Sequence, residues 1–193
     1  MKITYRHIIA FILLVAVSIG FGFAFDGVAT AIEKHNHPLD ERYANDIRAY
    51  AAEFAIPEHI LWAVVRTESD FVSNRVSANG EIGLMQLTPE RLSHICTDIL
   101  KENAPDTGLL YDPSTNLRCG AAYLSDLYRQ YGVWDTVYAA YSVGVEQVNE
   151  WLQNSAYVNE QGRLHSIPNQ QVNDYIKAVN RAAELYHRLY FAA

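Results

Sequence analysis

The sequence is poor in cysteine and has no basic cluster. Its two cysteines, Cys96 and Cys119, stand far from any pair of histidines, which argues against a zinc site. Nowhere do more than two basic residues stand together, and the formal net charge is -7. A nucleic-acid partner requires a basic surface, so that class is set aside. No internal repeat appears, and no long alternating run marks a strand. Charged residues make up 19% and hydrophobic residues 50% of the 193 positions. That balance argues against disorder and fits one domain, or one domain with an appendage.

The one long apolar run is at the N-terminus. Lys2 and Arg6 precede IIAFILLVAVSIGFGFAF, residues 8–25, and Asp26 and Glu33 follow it. Eighteen uncharged residues lie between a secretory signal and a membrane-spanning helix in length. Ala29-Thr30-Ala31 is a small-residue cleavage site. Cleavage at that site and retention as an anchor both stay open. Either places the rest of the chain outside the cytoplasm, because the basic residues precede the apolar run. Residues 1–31 are thus read as a leader or anchor, 32–40 as a polar linker and 41–193 as the working domain. His35 and His37 in the linker have no further ligands nearby and are read as solvated.

Beyond the linker the spacing is helical. Tyr43, Ile47, Tyr50 and Phe54 share one face. Pro57 suits the first turn of a helix running to Ser69, with Ile60, Leu61, Val64 and Val65 as its apolar face. Thr88-Pro89 reads as a cap followed by a first-turn proline. KENAPDTGLLYD reads as a loop. Asp112-Pro113 opens a helix that Tyr131-Gly132 ends, and a short helix follows from Trp134 to Tyr141. Residues 153–169 read as an irregular insertion. Val172, Ile176, Val179, Ala183, Tyr186 and Tyr190 form the buried stripe of a last helix. The expected class is mainly α, with a short β-hairpin allowed between Ser73 and Leu87. Trp62 and Trp134, in helical runs, are expected in the core.

Glu68 is the candidate for chemistry. It follows Val64 by four residues and Val65 by three, which puts it on or beside the apolar face. It also falls in the last helical turn, where the helix dipole disfavours an anion. Burial and dipole both raise a carboxyl pKa, and a carboxyl kept protonated near neutrality is what a general acid requires. The competing reading is a surface glutamate paired with Arg66 or Arg75. Asp70, two residues on, points away from Glu68 on a helix and is read as tying down the turn. Glycoside hydrolysis normally uses two carboxyls roughly 5–9 Å apart, and no second one is evident.

The runs VVRTESDF, VSANGEIGLMQLTPE, DPSTNLRCGAAYLSDL and YAAYSVGVEQVNEW, in that order, resemble the soluble lytic transglycosylase (SLT) domain of glycoside hydrolase family 23. The likeness spans roughly residues 45–152 and continues more loosely through VNDYIKAVNRAAELY. The resemblance implies a lysozyme-like single domain acting on peptidoglycan glycan strands. It implies that Glu68 is the sole acid/base for the bond between N-acetylmuramic acid and N-acetylglucosamine. The muramoyl 6-hydroxyl would then attack the anomeric carbon and leave a 1,6-anhydromuramoyl end without water, so the substrate itself replaces the missing carboxylate.

By the same resemblance, Ser69, Ser77, Met85, Gln86, Tyr141, Ser142 and Tyr175 are expected to bind substrate. Gly80 and Gly83 would let the backbone approach the groove. Met85 would wall it and Gln86 would offer an amide. The alternative is that Leu84, Met85 and Leu87 are core and Gln86 is exposed. Ser142 departs from the family, which has asparagine there, and a hydroxyl reaches less far than an amide. Tyr175 either approaches the catalytic carboxyl or packs beside Ile176. Trp151 stands where the family usually shows an aromatic.

No metal or cofactor is implied. The cysteines can form a disulfide in an oxidising compartment, worth a few kcal/mol, or remain buried free thiols. The protein is expected to act as a monomer in the periplasm or on the periplasmic face of a membrane, held there through residues 8–25 if the leader is retained. Envelope or secretion machinery is a candidate partner. Two other functions compete. One is a muramidase on the same fold, which needs a second carboxylate facing the groove, with Asp70 and Glu81 nearest in sequence. The other is a non-catalytic wall-binding component of a secretion apparatus, for which an acid such as Glu68 would be unnecessary.

Overall fold

The computed structural model describes residues 14–15, 27–103 and 105–192. The chain divides into two units, residues 1–39 and 40–193. Within the first, residues 27–36 are helical, closed by the His37 N–H donating to the Glu33 carbonyl at 2.9 Å. Much of the expected linker is therefore helix, which the run Ala31-Ile32-Glu33-Lys34 favours intrinsically. Among the described residues no helix is long and apolar enough to cross a membrane. The apolar run 8–25 lies outside them except for Leu14 and Val15.

The second unit is built from seven α-helices among its described residues: α1 (Ala44–Glu53), α2 (Glu58–Ser69), α3 (Pro89–His94), α4 (Pro113–Tyr131), α5 (Trp134–Val143), α6 (Val145–Leu152) and α7 (Gln170–Tyr186). A wide turn extends α3 over Ile95–Leu100, another extends α7 over His187–Phe191, and a tight helical turn covers Thr107–Tyr111 inside the expected loop.

The central element is α2. Six consecutive residues, Ile60 to Val65, are buried, so this helix is enclosed on all sides rather than amphipathic. Each large side chain among them stabilises the fold by roughly 1.5–3 kcal/mol over exposure. The Trp62 N–H, which would be costly to bury unpaired, donates to Glu58 Oε1 at 3.2 Å. Pro57 lies just outside the helix as its cap residue, with extended ψ of 126°, instead of in the first turn. The largest helix pair is α2 with α7. The α7 stripe buries Val172, Ile176, Val179, Ala183 and Tyr186. Tyr190 falls out of the stripe and Leu189 is buried in its place, three residues after Tyr186 and so still on the same helical face. Trp134 is also a correction: it is only half-buried, stacked between Tyr128 and Tyr138 with ring centroids 4.4 and 5.7 Å away.

Two caps are as expected. Thr88 Oγ1 accepts from the Arg91 N–H at 3.1 Å, with Pro89 in the first turn. Asp112 Oδ2 accepts from the Thr115 N–H at 2.8 Å, ahead of Pro113. Residues 73–87 form no regular hairpin. Only isolated bridges occur, Val76 with Ile82 and Ile82 with Leu87.

Candidate active site

Glu68 sits in the last turn of α2, half-buried, at the wall of a cavity of about 310 Å³. The helix ends immediately after it. Asp70 takes the left-handed conformation at φ 51°, and its carboxylate pairs with Arg66 at 2.8 Å. Asp70 is exposed and lies outside the cavity lining, so it serves the turn and not the groove.

The loop after α2 forms the facing wall, and Asn116 holds it in shape. Asn116 is fully buried in the first turn of α4. Its Oδ1 accepts from the Met85 N–H at 2.7 Å, and its Nδ2 donates to the carbonyls of Ile82 and Leu110, both at 2.9 Å. Gly83 is required by this packing. Its φ is +87°, and a Cβ would stand 2.2 Å from Asn116 Nδ2. Gly120, one helical turn beyond Asn116, gives Met85 its space, since a Cβ there would stand 2.6 Å from Met85 Cγ.

The other walls come from α5 and α7. Tyr141 is buried, and its hydroxyl donates to the Met85 carbonyl at 2.6 Å. Ser142 follows it, exposed and in the cavity lining. Tyr175 reaches in from α7 and donates to Glu68 Oε1 at 2.5 Å. Both phenols are held well above their usual pKa, chiefly by burial and then by the nearby Glu68 charge, so they act as donors and not anions.

Burial pushes the Glu68 carboxyl up to about 7. The Tyr175 hydrogen bond opposes this by favouring the charged form, the Glu81 charge adds to it, and Arg91 and Arg75 pull downward. Near neutrality Glu68 is therefore divided between acid and base forms, the condition for serving as both in turn.

The expected site residues divide into two groups. Glu68, Gln86, Tyr141, Ser142 and Tyr175 share the cavity. Ser69 and Met85 do not line it. Ser69 is fully buried with its hydroxyl donating to the Val65 carbonyl at 3.1 Å, and Met85 is fully buried against Gly120. Their parts are structural: Ser69, next to Glu68 on the helix, points back into the core, and Met85 is held there by the loop packing on Gly120. Ser77 is one step removed, donating to Glu81 Oε2 at 2.8 Å. Gln86 is 3% exposed, at φ 48°, and its Nε2 donates to the carbonyls of Gly83 and Arg75 at 2.8 and 3.2 Å. Its donor thus braces the loop, while its amide edge borders the cavity.

Cys96 and Cys119 are both buried and both free, so the candidate disulfide is not formed. Burial pushes the Cys119 thiol up to about 12.

Glu81, weighed from the sequence beside Asp70 as a second groove carboxylate, lines the cavity. Three residues of the site escaped the sequence reading. Asn116 could have been found as a polar residue four positions before Gly120 on the apolar side of α4. Arg91 lines the cavity from a short helix with no periodic signal. Asn169 lines it too, and its side chain caps α7 by accepting from the N–H groups of Gln171 and Val172.

With this geometry the comparison with known proteins is direct. The sequence profile of the transglycosylase SLT domain matches residues 45–163. The chain belongs to this family. The SLT chain is 32% identical over 160 residues to the soluble lytic murein transglycosylase of Escherichia coli, covering 79% of this chain and 24% of that protein. It is 34% identical over 101 residues to the membrane-bound lytic murein transglycosylase C of Haemophilus influenzae, covering 52% of this chain and 28% of that one. The crystal structure of the 70 kDa soluble lytic transglycosylase of E. coli superposes with a TM-score of 0.73 at 29% identity, covering 82% of this chain and 26% of the other. An inactive glutamate-to-glutamine mutant of lytic transglycosylase Slt from Pseudomonas aeruginosa gives 0.70 at 27% identity, covering 80% and 25%. This SLT chain thus spans about a quarter of the length of these relatives.

Proposed function

We propose that the protein is a lytic transglycosylase of peptidoglycan, with Glu68 as its single acid/base. The carrying observation is the Glu68 carboxyl at a cavity wall, raised to about 7 by burial and held by Tyr175. Protonated Glu68 donates its proton to the oxygen linking N-acetylmuramic acid to N-acetylglucosamine, and the bond to the anomeric carbon breaks. The resulting carboxylate takes the proton of the muramoyl 6-hydroxyl as that oxygen bonds to the anomeric carbon. The products are a 1,6-anhydromuramoyl end and a free N-acetylglucosamine hydroxyl, with no water consumed. Tyr175 positions the carboxylate, Tyr141 braces the loop through the Met85 carbonyl, and Ser142 offers a hydroxyl to the sugar. The inactive glutamine mutant of the Pseudomonas relative supports assigning the chemistry to a glutamate. The apolar N-terminal run supports export, with the domain facing the cell wall.

One observation favours a second reading. Glu81 lines the same cavity as Glu68 and interacts with its charge. A second carboxylate there can orient water, which would make the enzyme a muramidase with a reducing-end product. A purely wall-binding role has less support, since binding alone does not require a carboxyl raised to about 7.

The test is mass spectrometry of fragments released from purified peptidoglycan by the full chain, with Glu68→Gln as control. Anhydromuramoyl fragments that disappear in the mutant establish the proposal. Reducing-end fragments that disappear in Glu81→Gln would transfer the chemistry to water. Absence of both from a folded protein would leave the binding role.

A further inference from the structure

Two histidines meet at the end of the α2–α7 pair away from Glu68. His59 stands in the first turn of α2, and His187 follows the last residue of α7 at the start of its wide turn. Their ring centroids are 4.8 Å apart, with the planes tilted by 52°. Among the described residues neither imidazole makes a hydrogen bond or an ion pair. A neutral imidazole carries one donor and one acceptor nitrogen, so each ring has a lone pair to offer. Both line a cleft of about 200 Å³ together with Trp134, Tyr138 and Glu184. His187 is exposed, which opens the cleft to solvent.

The separation is that of two ligands on one ion. Zinc sits about 2.0–2.1 Å from an imidazole nitrogen, which puts two rings on a tetrahedral ion about 5 Å apart between centroids. The observed 4.8 Å therefore asks for rotation of side chains and no movement of either helix. Glu184 lies three residues before His187, on the same helical face, and borders the same cleft. Among the described residues no group of three such donors is gathered at one point. The two imidazoles thus supply the primary hold, the Glu184 carboxylate closes on the ion by rotation, and water completes the set. Imidazole with carboxylate suits zinc, whereas magnesium and calcium take oxygen ligands.

An ion held here is remote from the chemistry. His59 precedes Glu68 by nine residues and His187 follows Tyr175 by twelve, roughly 14 and 18 Å along their helices. It joins the start of α2 to the end of α7, the two helices that bring Glu68 and Tyr175 together. We propose that His59, His187 and Glu184 form a structural zinc-binding site that clamps α2 to α7. The site is independent of the transglycosylase reading and binds whether or not the enzyme turns over.

The test is calorimetric titration of zinc chloride into the untagged, chelator-treated full chain at pH 7.5. One saturable site is expected. His59→Gln and His187→Gln should each weaken it by about tenfold or more, at least the loss that an outer-shell partner causes, and Glu184→Gln should weaken it by a smaller factor. His35→Gln/His37→Gln should leave it unchanged, and magnesium chloride should not bind there. Zinc at about a hundredfold excess over its Kd should raise the melting temperature of the wild type by roughly 5–10 °C, and that of His59→Gln/His187→Gln not at all. Imidazole nitrogen NMR on the wild type needs no variant: zinc should shift the His59 and His187 resonances together and spare the other histidines. Absence of saturable binding by the wild type would overturn the proposal. Binding lost in His35→Gln/His37→Gln but kept in His59→Gln/His187→Gln would overturn it too, as would zinc shifts confined to other histidines.

Discussion

The Tyr175 hydroxyl donates to Glu68 Oε1 at 2.5 Å, tying α7 to the end of α2 across 107 positions of sequence. This bond stabilises the ionised carboxylate and so opposes the upward pull of burial. Tyr175→Phe should therefore raise the Glu68 pKa above about 7. The alkaline limb of the kcat profile should move up by about one pH unit, the value of one charge-assisted hydrogen bond. An unmoved limb would show that the bond is absent in solution.

The same shift makes stability depend on pH. The Glu68 pKa rises from 4.5 when unfolded to about 7 when folded, so the folded state binds the extra proton. Its contribution is fully present below 4.5 and is lost as pH rises through about 7. Glu68→Gln, which cannot ionise, should melt higher than the wild type at pH 8, with a smaller gain at pH 5. Thermal melts at the two pH values check the sign.

Asn116 is the keystone of the loop that carries Met85 and Gln86. Asn116→Ala leaves the Met85 N–H and two carbonyls without their partner. At about 1–1.5 kcal/mol for each lost bond, the cost should reach roughly 3–4 kcal/mol. Gly83→Ala combines positive φ with a 2.2 Å clash and should cost at least about 2 kcal/mol. Urea unfolding measures both. A cost within about 0.5 kcal/mol, the range of neutral surface changes, would contradict the packing.

The thiols of Cys96 and Cys119 are buried and both are raised above the usual pKa, Cys119 to about 12. Thiolate is the reactive form, so a disulfide reagent at pH 7.5 should label neither in the native protein within minutes and both in denaturant. Rapid native labelling would place them at the surface. A protein mass two hydrogens lower would mean that the pair is oxidised.

Ser142 is exposed at the cavity and stands where the resemblance to the SLT domain implies an asparagine. Ser142→Asn adds an amide donor and acceptor. It should lower KM by a few-fold while leaving the pH profile in place. Unchanged KM would show that this position does not touch the sugar.

The sequence by itself determined most of the helices and marked Glu68 as the candidate acid. The periodic stripes of α2 and α7, and the caps at Thr88 and Asp112, act through neighbours three or four residues away, so local spacing reveals them. The order of Glu68, Gly83-Leu84-Met85-Gln86 and Tyr141 carried the family. Tertiary structure decided what surrounds the acid. Ser69 turned inward because its face of α2 is enclosed, and Met85 became core where its loop packs against Gly120. The choice between Asp70 and Glu81 as cavity carboxylate was settled by a left-handed residue at the end of α2, a conformation that spacing does not encode. Asn116, Arg91 and Tyr175 act across the fold on groups far away in sequence. Their roles come from distances and desolvation that exist only after α4, α5 and α7 have packed around α2.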